Sequence, residues 1–310
     1  MGNIKSKIVP LQEDLVYVNL MVYADSGTGK TVFGGSDDRV LFIAPEDSGT
    51  ISAKRHGSKA DKWPVQSWND LLEAYEYLYD QIEENGSLPY DWIVIDSLTE
   101  MQYMAMSYVL KKGVEDRPTK DPEVPEIQDW QRYYIIFEKM VRAFNDLDVN
   151  VLYTALARKV EDAEGEDFYV PDIQGKDYLL AMKIASLMTS FGQMVIELQP
   201  QIDAEGNETG KKVRRRRIYW EDTETSRGKD RTRALAPTTD GLTLKAVRRK
   251  IEGYEVPEPR KAPVKKAPAK KVAARKAPAN THDPETGSEL PNPANTPDNA
   301  ADLADSVPSQ

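Results

Sequence analysis

The sequence predicts an α/β fold with a mostly parallel central sheet flanked by helices, and three stretches predict it. An apolar run from Leu15 to Tyr23 leads into ADSGTGKT. A second, RVLFIAPED (Arg39 to Asp47), and a third, YDWIVIDSLTE, both end in carboxylates, and helix-forming segments intervene. Short apolar runs closed by glycine-rich or acidic turns, alternating with helical periodicity, are the pattern of buried parallel strands in βα units.

The first turn carries the strongest chemical signal. VYADSGTGKT matches the phosphate-binding loop pattern, with Ala24 where the first glycine usually stands. Gly27 and Gly29 let the backbone turn so that consecutive amides face inward and cradle a polyphosphate. Lys30 would reach the terminal phosphates, and the Thr31 hydroxyl would sit on a Mg²⁺ bridging them. The candidate nucleotide-binding residues are therefore Ala24, Asp25, Ser26, Gly27, Thr28, Gly29, Lys30, Thr31 and Val32.

Composition narrows what surrounds this loop. The 310 residues include no cysteine, which excludes disulfides and thiolate chemistry, and two histidines far apart, His56 and His282, do not make a zinc site. No apolar run approaches membrane-spanning length, and MGNIKSKIVP lacks the apolar centre of a signal peptide, so a cytoplasmic protein without membrane contact is expected. A net charge of −10 leaves only local patches for contact with nucleic acid.

In order, a polar arm (residues 1–14) precedes the first strand. The helix after the glycine loop is expected to be brief, because Thr31, Val32 and Phe33 run into Gly34-Gly35. The second strand ends in Glu46 and Asp47; a loop with Lys54, Arg55 and His56 leads to an extended stretch near Val65. Leu71, Leu72, Tyr75, Leu78, Tyr79 and Ile82 then mark one face of a packing helix that stops at Asn85-Gly86. In the third strand Trp92 to Ile95 run into Asp96, a carboxylate at the end of a buried strand that can hold the metal beside the loop. Glu46, at the end of the strand after the loop, can orient an attacking water.

ADSGTGKT, FIAPEDSGT and IVIDSLTE in this order resemble the RecA-like P-loop ATPase core, over roughly Leu15 to Gly253. More narrowly, the chain is similar to the small RecA-core ATPases of bacteriophages that act as recombinases or single-strand annealing proteins. The resemblance implies ATP and Mg²⁺ as ligands, Glu46 as the catalytic carboxylate and Asp96-Ser97 as the metal-side pair. It also implies that the two loops after the third and later strands, KKGVEDRPTKDPEVPEI and Lys159 to Lys176, face DNA. The second of these carries Glu161, Asp162, Glu164, Glu166 and Asp167, which repel phosphate. Where the family often has a polar glutamine sensor, this chain has Thr154, Ala155 and Leu156.

Between these loops a helix from Ser97 to about Lys112 is followed by an amphipathic one. The latter aligns Trp130, Tyr133, Tyr134, Phe137, Met140, Val141, Phe144 and Leu147, a stripe read as core packing rather than base stacking. A helix from Asp177 to Ser190 and a strand from Met194 to Gln199 lead into a C-terminal β-hairpin turning at Glu205-Gly206-Asn207. Its return strand, KKVRRRRIYWE, bears Arg214, Arg215, Arg216 and Arg217. Alternate arginines must face opposite sides, and they read either as a phosphate-tracking patch or as a charge-protected edge. In RecA-like rings and filaments a Lys-x-Arg pair reaches the neighbouring subunit's γ-phosphate, and Lys229 and Arg231 in KDR look like it, implying self-assembly. A short helix, Leu244 to Ile251, closes the core domain (residues 15–255). The tail (residues 256–310) is expected to be disordered. It has a basic Lys-Ala-Pro tract over 260–278, whose Lys265, Lys266, Lys270 and Lys271 would attract DNA, and an acidic end over 281–310 that could recruit a phage or host replication partner.

The reading as a whole is an ATP-hydrolysing protein acting on single-stranded DNA in phage recombination, annealing or replication, in the host cytoplasm. A replicative helicase-type motor and an ATP switch that loads a partner without touching DNA stand as alternatives.

Overall fold

A computed structural model of the chain describes residues 17–45, 48–202 and 208–253. The α/β architecture is as expected. Strands β1 (Asn19–Ala24), β2 (Val40–Ala44), β3 (Asp61–Pro64), β4 (Trp92–Ile95), β5 (Asn150–Glu161) and β7 (Ser190–Ile202) form the parallel part of one sheet. Antiparallel β6 (Asp167–Pro171), β8 (Glu208–Tyr219), β9 (Lys229–Asp230) and β10 (Thr238–Asp240) extend it. Along the sheet the order is β10-β8-β7-β1-β5-β4-β2-β3.

Pleating sorts the strand residues into two cores. Met21, Tyr23, Ile93, Ile95, Val151 and Tyr153 face one side, where α3 (Trp68–Asn85), α4 (Leu98–Asp116), α5 (Ile127–Asn145) and α6 (Leu179–Ser186) cover them. Leu20, Val22, Val94 and Leu152 face the other side, under Phe33 of α1 (Lys30–Gly34) and Leu244 and Val247 of α7 (Leu244–Glu252). Central strands buried on both faces explain the continuous apolar runs of the sequence.

Local signals hold at several boundaries. α1 is five residues long and ends where Gly34-Gly35 predicts. α3 starts in a capping box between Ser67 and Asp70 and ends at Gly86, whose φ of 74° suits a residue without Cβ. Tyr133, Phe137, Met140, Val141 and Phe144 of α5 are buried in the core, as its aromatic stripe implies. Tyr79 departs from expectation: it is 46% exposed, on the solvent side of α3.

Other expectations are corrected. The segment after β2 contains a short helix, α2 (Ile51–Arg55), rather than loop alone. α4 runs through Lys111 and Lys112 to Asp116, α6 is confined to Leu179–Ser186, and β7 begins at Ser190. Lys159 to Lys176 is not a loop throughout: β5 continues beyond the main sheet and pairs with β6 from Ala157↔Pro171 to Glu161↔Asp167. The charged, proline-rich connection between α4 and α5 is also anchored. Lys120 turns inward to an ion pair of 2.5 Å with Asp129, each side chain 3% exposed, while Asp129 also accepts from the Glu126 amide at the start of α5. The hairpin turn at Glu205-Gly206-Asn207 and the tail from Tyr254 onward lie outside the described residues. Among the described residues no helix is long and apolar enough to cross a membrane.

Removing one member of a buried pair leaves the other charge uncompensated, at a cost of about 3–5 kcal/mol. Lys120→Met should therefore lower the free energy of unfolding by about that amount in urea titrations. Arg132→Met, which removes the solvent-exposed pair with Asp116, should change it by less than about 1 kcal/mol.

Candidate active site

The glycine loop leaves the sheet at Ala24 and returns as α1. Gly27 and Gly29 have φ of 76° and 108°, values that side chains disfavour, which is why glycine recurs there. Thr28 tightens the turn by donating its hydroxyl to the Asp25 carbonyl at 2.7 Å. The backbone amides of Gly27, Gly29, Lys30 and Thr31 donate to no group among the described residues. Such a run of turned amides forms a concavity suited to an anion. Lys30 is buried, and its Nζ donates to the carbonyls of Ala24 (2.8 Å) and Asp25 (3.0 Å). Burial pulls its pKa below the usual lysine value, and the charges of Asp96 and Asp25 offset part of that effect.

The sheet brings Asp96 to this loop by an indirect route. β4 and β1 are not neighbours, because β5 lies between them, pairing Ile95 with Tyr153 on one side and Val22 with Thr154 on the other. One residue past Ile95, the Asp96 carboxylate accepts from two hydroxyls: Thr31 Oγ1 at 2.6 Å and Thr154 Oγ1 at 2.5 Å. Asp96 is joined to Ser97 by a cis peptide, and Ser97 caps α4 by accepting from the Glu100 amide. A hydroxyl and a carboxylate held side by side at the mouth of an anion-shaped turn are hard oxygen donors. They suit Mg²⁺, which takes one or two protein oxygens and completes its shell with phosphate and water.

Lys30, Thr31 and Asp96 open into a single cleft of about 770 Å³, with Val32, Ser52, His56, Glu100 and Arg216 also on its walls. Glu100 and His56 are additions to the expected set; Arg216, expected on a phosphate-tracking patch or charged edge, lines this cleft instead, and Thr154, at the family's sensor position, joins the site through Asp96. Thr154 is the polar residue in an otherwise apolar run, VLYTALA, and its place level with the carboxylate strand is the signal. Nothing local marks Glu100 or His56.

The four arginines of β8 do not form one patch. Ile218 and Trp220 are buried in the core on the α1 side, so the pleat turns Arg216 the same way, and its Nε donates to the Thr28 carbonyl of the glycine loop at 3.0 Å. Arg217 faces oppositely and is paired with Glu197 (3.0 Å) and Asp240 (2.8 Å). Arg214 and Arg215 are exposed.

Lys229 and Arg231 lie away from their own chain's loop. β9 pairs Lys229 with Phe191 and Asp230 with Ser190, and Leu20 pairs with Ser190 near the start of β1, whereas the loop leaves from its end. Both cations donate to the Ser186 carbonyl, at 3.1 and 2.9 Å, at the C-terminus of α6, where positive charge is favourable. Burial, with the nearby Arg231 charge second, lowers the Lys229 pKa to about 8. Glu46 and the tail lysines Lys265, Lys266, Lys270 and Lys271 lie outside the described residues.

A family model described as an AAA domain matches residues 17–232, which takes in the glycine loop, Asp96, Thr154, Arg216, Lys229 and Arg231. No curated protein matches the chain.

The Lys229 shift has a thermodynamic consequence whose sign is fixed. With its folded pKa lowered to about 8 from 10.5, the unfolded chain binds more protons between those values, so stability rises with pH across that window. Lys229→Met removes the titrating group. In urea titrations at pH 7.5 and 9.5, the parent should gain stability relative to the variant at the higher pH.

Proposed function

The chain belongs to the AAA domain family, whose members are generally ATPases, and from that premise we propose that it hydrolyses ATP with Mg²⁺ while acting on single-stranded DNA. The observation that carries the ATP reading is the meeting of Lys30, Thr31 and Asp96 at one cleft beside a turn of unengaged amides. Residues 24–32 grip the phosphates through the main chain, and Lys30 exchanges its two carbonyl partners for phosphate oxygens. Thr31 and Asp96 would hold Mg²⁺, which would supply charge stabilisation at the phosphates. Thr154 keeps the Asp96 carboxylate turned toward Thr31. In hydrolysis the oxygen of water bonds to the γ-phosphorus as the bond to the β,γ-bridging oxygen breaks, and the proton of the water passes to a carboxylate. Glu46 is assigned that role from its position in APEDSGT. Lys229 and Arg231 are assigned to a neighbouring subunit's nucleotide, and their distance from their own loop supports assembly into a ring or filament in which sites are shared.

The DNA reading draws on the exposed Arg214 and Arg215 and on the basic composition of residues 260–278. Its biological setting would be phage recombination, annealing or replication. The carboxylates Glu161, Asp162, Glu164, Glu166 and Asp167, gathered at the β5–β6 turn, favour a second reading: an ATP switch that engages a protein partner instead of DNA.

Lys30→Ala should abolish phosphate release from ATP while leaving the urea midpoint close to the parent's, and turnover at the parental rate would remove the ATP assignment. Fluorescently labelled single strands titrated with and without ATP, at 50 and 200 mM salt, test the second half. Binding that weakens steeply with salt is expected, and no binding in any nucleotide state leaves the partner switch.

A further inference from the structure

The sequence groups Arg216 with three other arginines of a basic strand, but its surroundings are those of the nucleotide cleft. We propose that Arg216 is a nucleotide-contacting residue supplied by the same chain, directed at the γ-phosphate of ATP held in the glycine loop. The role presupposes ATP binding by that loop, as proposed above.

Three observations converge on it. The Arg216 guanidinium crosses from β8 to the loop, donating Nε–H to the Thr28 carbonyl at 3.0 Å, and it shares the cleft wall with Lys30, Thr31 and Asp96. It lies against Gly29 so closely that a Cβ built there would stand 2.9 Å from Cζ. Gly29 is required for its φ of 108°, and any side chain there would displace the Arg216 guanidinium. Lastly, Arg216 forms no ion pair among the described residues, whereas Arg217 beside it is neutralised by Glu197 and Asp240.

The chemistry follows from how little of the guanidinium is used. Arginine presents five N–H donors in a rigid fork matched to phosphate oxygens. Within the described residues only Nε–H is engaged, and its acceptor is a neutral carbonyl of the loop. Lys30 is held in the same way, by the carbonyls of Ala24 and Asp25. Both cations thus rest on carbonyls of the loop they would serve, and a polyphosphate offers each a charged acceptor in exchange, which makes the stronger bond. Pleating fixes the direction: Arg216 lies two residues from the buried Ile218 and so cannot turn to the opposite face without shifting β8 out of register.

A contact of this kind reads the terminal phosphate, and ATP and ADP therefore separate it from a structural role. Binding of fluorescent ATP and ADP analogues is measured by anisotropy for the parent, Arg216→Gln, Arg216→Lys and Arg214→Gln. For Arg216→Gln, ATP affinity is expected to fall about tenfold or more and ADP affinity by less than threefold. Arg216→Lys should recover part of the loss, and Arg214→Gln should match the parent for both nucleotides. Equal losses for ATP and ADP would make Arg216 a brace for the loop and overturn the γ-phosphate contact, as would unchanged affinities. The parent separates the two levels. Parental ATP binding with an unaffected Arg216→Gln removes this contact alone, while a parent that binds neither nucleotide removes the ATP reading with it. Urea midpoints within error of the parent's confirm that the variants are folded.

Discussion

The candidate site depends on one carboxylate held by two hydroxyls. Asp96 accepts from Thr31 on α1 and from Thr154 on β5, and these bonds tie together three elements far apart in the chain. Strand order makes the second bond necessary. With β5 between β1 and β4, Asp96 faces the glycine loop across an intervening strand, and the residue of β5 at that level decides what the carboxylate meets. A valine at position 154 would leave that side of the carboxylate facing a methyl group. Threonine makes it a donor, and a hydrogen bond to a charged acceptor contributes about 1.5–3 kcal/mol.

The same accounting of faces governs β8. Its run of four arginines looks like a uniform basic surface in sequence, yet alternation hands them different tasks. Ile218 and Trp220 commit the even-numbered face to the α1 side, which delivers Arg216 to the loop and leaves Arg217 opposite Glu197 and Asp240. Charge count alone therefore overstates the surface available to nucleic acid: Arg216 and Arg217 each bond within the fold, although Arg216 stays solvent-exposed, and Arg214 and Arg215 are exposed.

Much of the fold was legible because the informative signals are local. The glycine loop, the brevity of α1, the end of α3 at Gly86 and the apolar runs of β1, β2 and β4 each follow from a few adjacent residues. What was not legible depends on pairing between distant segments. Lys159 to Lys176 is polar and acidic, with the composition of a loop, and only the antiparallel partnership of β5 with β6 makes it a hairpin. The connection after α4 has the prolines and charges of a solvent loop, but the buried pair of Lys120 with Asp129 anchors it. In the site, Lys30, Thr31 and Asp96 carry motif-level signals, whereas Arg216 is 188 residues from its loop partner Thr28 and shows no local sign of it.

The positive groups around the proposed chemistry then divide by what holds each of them. Lys30 and Arg216 touch their own loop directly. Lys229 and Arg231 are tied to the end of α6, beside the beginning of β7, while the loop leaves the far end of the adjacent strand. From Phe191, which pairs with both Lys229 and Met21, to the level of Ala24 is three residues of strand, about 10 Å at the usual rise per residue. Bonded to the one Ser186 carbonyl, Lys229 is half-buried and Arg231 exposed. On the proposed reading, then, Lys30 and Arg216 serve the nucleotide of their own chain, and Lys229 and Arg231 would serve that of a neighbouring copy.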